Sequence, residues 1–87
     1  MRNEPTGTED TLERRLGQRV RRAREAAGLT QSRLERDAGL PGATVARLER
    51  GEYDLPVSEL ADIARVLCTD PGNLVPPIGD PEAGDRQ

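Results

Sequence analysis

The chain has 87 residues, a third of them charged and a third hydrophobic, and its only aromatic residue is Tyr53. That composition allows one small domain around an aliphatic core. Histidine is absent and cysteine occurs once, so zinc sites, internal disulfides and base-activated nucleophiles are not expected, and neither is an enzyme, a cofactor or a metal centre.

The formal net charge is -3, but it is unevenly spread. Between Leu12 and Arg50 ten arginines face five acidic residues, whereas from Gly51 to Val75 only Arg65 opposes five carboxylates. One half of the domain is basic and the other acidic, and the distribution says more about partners than the sum does. No apolar stretch approaches the length of a signal sequence or a membrane span, so a cytoplasmic protein with no membrane partner is expected. Residues 1–10 and 76–87 are rich in proline, glycine and charge. They are expected to be flexible tails around a domain over 11–75.

Leu12, Leu16, Val20 and Ala23 recur at helical spacing and predict a first helix over about Thr11 to Ala27. Asp10 or Thr11 caps it and Gly28 ends it. Thr30 has the chemistry to cap a second helix that opens at Gln31 and is limited by Gly39. A third helix is expected to start near Pro41 and stop at Gly51. Leu34 and Ala38 share one helical face, Val45 and Leu48 share the next, and Gly39 supplies the left-handed residue a tight reversal needs. This is a helix-turn-helix layout, which makes double-stranded DNA the leading partner.

Val57, Leu60, Ile63, Ala64 and Leu67 form the apolar stripe of a fourth helix. In a last turn Asp70 caps, Pro71 opens, and Leu74 and Val75 point inward before Pro76 and Pro77. Cys68 reads as a small buried hydrophobe near the end of a helix, with a redox or intermolecular role as the alternative. The fold class is therefore all-α, a five-helix orthogonal bundle without strands or repeats.

From Leu16 to Val75 the strings LGQRVRRAREAAGLTQ, the turn at Gly39, LERG and LADIARVL stand in order and in register. Together they resemble the phage-repressor, or xenobiotic-response-element, type of helix-turn-helix domain. The resemblance implies that Gln31 contacts a DNA phosphate at the start of the second helix, where free amides and a partial positive charge suit an anion. The alternative is that Gln31 only solvates a helix end. The resemblance also implies a structural ion pair of Arg24 with Glu49, which fixes the third helix on the first and aims the arginine toward a phosphate.

With Val45 and Leu48 committed to the core, the groove-facing positions of the third helix are expected to be Gly42, Ala43, Ala46, Arg47 and Arg50. Arg47 is the long hydrogen-bonding side chain among the central ones, suited either to guanine O6 and N7 or to a phosphate. The base-contact set is thus Arg47, Ala43, Gly42 and Ala46, and the phosphate set is Gln31, Thr30, Thr44, Arg50, Arg24 and Tyr53.

Several residues depart from the family pattern. Gly42 and Ala43 are small where relatives carry base-reading side chains. Glu35 must reach solvent or pair with an arginine, and pairing with Arg47 would occupy the reader. Glu52 and Asp54 place negative charge in the following loop, where Tyr53 either bonds a phosphate or is an ordinary half-buried tyrosine. The expected function is a sequence-specific DNA-binding transcriptional regulator, a repressor or accessory regulator, which forms a homodimer on DNA. The competing expectation is a protein–protein interaction module on the same fold, an adaptor or antitoxin-like partner.

Overall fold

A computed structural model describes residues 11–77, and the remainder of both expected tails lies outside the described residues. Five helices follow one another, α1 (Leu12–Ala26), α2 (Gln31–Ala38), α3 (Thr44–Glu49), α4 (Val57–Val66) and α5 (Pro71–Leu74), and all regular structure among the described residues is helical. None of these helices is long and apolar enough to cross a membrane.

Local chemistry sets most helix boundaries. The hydroxyl oxygen of Thr11 accepts from the Arg14 N–H at 3.1 Å, and that of Thr30 accepts from the Arg33 N–H at 3.0 Å. Each satisfies an amide that lacks an intrahelical acceptor. At the other ends, α1 to α4 all close in the same way. A left-handed residue at Gly28, Gly39, Gly51 or Cys68 turns the chain, and paired backbone bonds such as Leu40 N–H to the Glu35 carbonyl at 2.9 Å consume the last carbonyls.

Cys68 departs from the expectation of a buried hydrophobe. It is exposed and has φ 57, because it takes the reversal position that glycine fills in the other three helices. A side chain there is strained, so Cys68→Gly should raise the stability of the domain by about 1 kcal/mol, read as an increased urea midpoint.

Each helix contributes to one core: Val20 from α1, Leu34 and Ala38 from α2, Val45 and Leu48 from α3, Ile63 and Ala64 from α4, and Leu74 from α5. α1 packs on α3 and α5, and α2 packs on α3 and α4. α3, with only 6 residues, is far too short to persist alone. It is held because Val45 and Leu48 are fully buried, each a contribution of about 1.5–3 kcal/mol.

Three expected core positions face solvent: Leu12, Val57 and Val75 are exposed. Leu12 and Val57 open their helices, and helical side chains tilt toward the N-terminus, so a first residue reaches past the packed turn. Val75 follows α5 in extended conformation, and Pro76 is buried in its place. Asp70 precedes α5 but makes no side-chain cap bond. Its backbone carbonyl accepts from the Asn73 N–H instead.

Gly17 sits where α1 meets the backbone of α3. A Cβ built there would lie 2.2 Å from the Leu48 carbonyl oxygen and 3.0 Å from the Glu49 Cα. Helix α1 therefore runs against the backbone of α3 with no room for any side chain.

Candidate nucleic-acid interface

α3 starts later than expected, at Thr44 rather than near Pro41. Leu40 is used to close α2 and Ala43 is left-handed at φ 69, so the chain is still turning where the first helical turn was expected. Gly42 and Ala43 consequently lie in the turn ahead of α3, both exposed, rather than on its outer face.

Ala43 offers α3 no side-chain cap. The cap comes from α2 instead: Glu35 Oε2 accepts from the Val45 N–H at 2.8 Å. A carboxylate on the first turn of α3 satisfies an unpaired amide and complements the positive end of the helix. Glu35 stays half-exposed, and in place of an arginine it takes a backbone amide ten residues on. Arg47 is not occupied by Glu35. No local spacing rule encodes such a cap, because its two halves sit on different helices.

Behind α3 lies the Arg24–Glu49 pair. Arg24 Nε donates to Glu49 Oε2 at 2.6 Å, Nη2 donates to Oε1 at 3.1 Å, and Nη1 donates to the Leu29 carbonyl at 2.7 Å. The Glu49 side chain is only 4% exposed. Its hydrogen bonds raise the Arg24 pKa still further above the ordinary guanidinium value, with burial opposing. Arg24 is buried, and its donor atoms end on protein acceptors. Gln31 joins the same cluster, donating from Nε2 to Glu49 Oε1 at 3.0 Å. The start of α2 is thereby tied to the end of α3.

On the outer side of α3, Arg47 is exposed and Ala46 half-buried. The Arg47 guanidinium lies 5.5 Å from the centroid of the Tyr53 ring. The Tyr53 hydroxyl donates to Glu59 Oε1 at 2.7 Å, so its proton is committed within the chain. Arg50, exposed at the end of α3, shares an exposed pair with Glu52, Nε to Oε1 at 3.1 Å. Thr44, an expected phosphate contact, is buried at the start of α3. Arg14, Gln18, Arg21, Glu49, Arg50 and Glu52 line an open groove of about 330 Å³ between α1 and the end of α3.

Tyr53 permits a direct check. The hydrogen bond to Glu59, followed by desolvation, raises its pKa above the ordinary value. Whatever the bond contributes is therefore fully present below the ordinary tyrosine range and is lost only as pH climbs through the raised value. Because Tyr53 is the one aromatic residue, phenolate absorbance reports on it alone. The titration midpoint should lie above 10, and Glu59→Ala should bring it down.

A comparison with curated proteins finds no match. Among solved structures, the restriction-modification controller protein C.AhdI from Aeromonas hydrophila is similar at 33% identity and a TM-score of 0.68, covering 72% of this chain and 94% of that one. The clp gene regulator ClgR from Corynebacterium glutamicum has a TM-score of 0.72 at 24% identity, covering 76% of this chain and 70% of that one, a likeness of fold alone. Hydroxypropylphosphonic acid epoxidase from S. wedmorenis is 31% identical with a TM-score of 0.73 over 84% of this chain, but the match spans only 39% of that enzyme. The family model described as a helix-turn-helix domain matches residues 15–76. With that match over most of its length, and with α2 and α3 joined at Gly39 around a shared core, the chain belongs to the helix-turn-helix family.

Proposed function

We propose that this protein is a sequence-specific DNA-binding transcriptional regulator, a repressor or accessory regulator acting in the cytoplasm, that docks α3 in the major groove. The observation that carries the reading is the two-sidedness of α3. Val45 and Leu48 are fully buried on one side, while Arg47 stands exposed on the other. The similarity to C.AhdI, a restriction-modification controller protein, supports a regulatory role. The likeness to the epoxidase spans well under half of that enzyme, so its catalysis does not carry over.

Arg47 is the base reader, with Ala46 beside it and Gly42 and Ala43 allowing close approach of the turn to thymine methyl groups. Thr30 and Gln31 present the start of α2 to a phosphate, a site where first-turn amides and the helix dipole favour an anion. Arg50 supplies a second phosphate contact. Its pair with Glu52 is exposed on both sides, 57% and 58%, and such a pair is worth too little to hold it from a phosphate. So small a footprint calls for two copies on a two-fold operator.

The test is binding to genomic fragments across a salt series. Affinity should fall steeply as salt rises, and Arg47→Ala should cost about 1–3 kcal/mol on the preferred site.

One set of observations favours a second reading, a protein-binding module on the same fold. Arg24, Thr44 and Tyr53, three of the expected phosphate contacts, are buried or bonded within the chain. Absence of any enriched fragment at low salt, with stable capture of one protein partner, would establish that reading instead.

A further inference from the structure

We infer that Tyr53 and Glu59 form a platform that sets the direction of Arg47, which makes Tyr53 a positioning residue for sequence readout. The inference rests on the DNA-binding reading of Arg47. Three contacts link in series. Arg47 on α3 lies over the Tyr53 ring at 5.5 Å from its centroid. The ring itself packs against the core. Its hydroxyl donates to Glu59 on α4 at 2.7 Å.

A free arginine on a helix surface samples many rotamers, and a base contact must freeze them at a cost in rotamer entropy. A guanidinium already stacked on a fixed ring has lost part of that freedom before DNA arrives. The ring is fixed at two points, by the core and by Glu59. The segment between α3 and α4 therefore acts on readout from a position that needs no contact with the duplex. The same arrangement gives the Glu59 carboxylate a partner within the chain, the phenol of Tyr53.

Discrimination at a single base pair tests this. Wild type, Arg47→Ala, Tyr53→Leu and the double variant are each selected against a pool of random-sequence DNA duplexes and sequenced, with thermal melts to establish folding. Arg47→Ala should erase preference at one position of each half-site. Tyr53→Leu should reduce preference at that same position about three- to fivefold and leave the others unchanged, and it should have no further effect in the Arg47→Ala background. A merely structural role for Tyr53 would weaken all positions alike.

If Tyr53→Leu does not fold, Glu59→Ala serves, because it keeps the ring but removes its anchor. It should reduce preference at the same position by a smaller factor. If Arg47→Ala erases the preference while Tyr53→Leu and Glu59→Ala leave it intact, or lower every position equally, the platform is wrong and the reading of Arg47 survives. If Arg47→Ala changes no position, both fall.

Discussion

Gly17→Ala is expected to destabilise the domain by about 3 kcal/mol, although the substitution improves intrinsic helix propensity by about 1 kcal/mol. The two effects have opposite signs, so the experiment separates them. Gly17 lies inside α1, where on propensity alone alanine is the better residue. Tertiary packing reverses this. The new Cβ would meet the Leu48 carbonyl oxygen at 2.2 Å and the Glu49 Cα at 3.0 Å, both backbone atoms that cannot rotate away. α1 must lift off α3, and Val20, Leu48 and the Arg24–Glu49 pair all lie at that contact. A domain this small has a total stability of only several kcal/mol, so urea unfolding should show a large loss of midpoint. An unchanged or raised midpoint would mean that α1 and α3 do not approach as closely as described.

The second large effect is on the buried ion pair. Arg24→Ala should cost about 3–5 kcal/mol, because it strands Glu49 with a buried charge and leaves it only the weaker donor Gln31 at 3.0 Å. It also frees the Leu29 carbonyl that Arg24 Nη1 holds at 2.7 Å. The informative comparison is the double variant Arg24→Met, Glu49→Leu. With both charges gone there is nothing to desolvate, so the double variant should be more stable than Arg24→Ala alone. Arg24→Lys should rescue little, since a lysine cannot make the two-pronged contact to both carboxylate oxygens. The raised Arg24 pKa places its contribution fully below the ordinary guanidinium range, to be lost only above it. Thermal melts between pH 6 and pH 9 should therefore give no change in the Arg24→Ala penalty arising from Arg24 itself.

These two sites also show where DNA binding and stability meet. Glu49 closes α3 and receives both Arg24 and Gln31, so its carboxylate joins the Glu35 cap and the shared core in fixing the start of α2 relative to α3. A variant at this cluster should weaken DNA binding through orientation as well as through folding. Arg47→Ala, whose side chain lies outside the core, should weaken binding while the melting temperature stays nearly constant.

The sequence by itself determined the helix count, the cap at Thr30, the narrowing of the first cap to Asp10 or Thr11, the reversal at Gly39, and the division of α3 into an inner and an outer side, because each depends on residues within one or two turns of one another. Apolar spacing also placed seven of the eight buried hydrophobic residues through α4, and Leu74 after it. Only the tertiary structure decided what happens between distant elements. It made Glu35 the cap of α3, closed α1 over Gly17, drew Gln31 into the Arg24–Glu49 pair, and set Tyr53 under Arg47 with Glu59 behind it. It also moved the start of α3 to Thr44 and put Leu12, Val57 and Val75 on the surface. Periodicity reports which face of a helix is apolar, but not where that helix ends relative to its neighbours, nor which polar atom from another helix will reach it. Those outcomes follow from packing five short rods around one core, and in this domain they govern the surface on which the arginines stand.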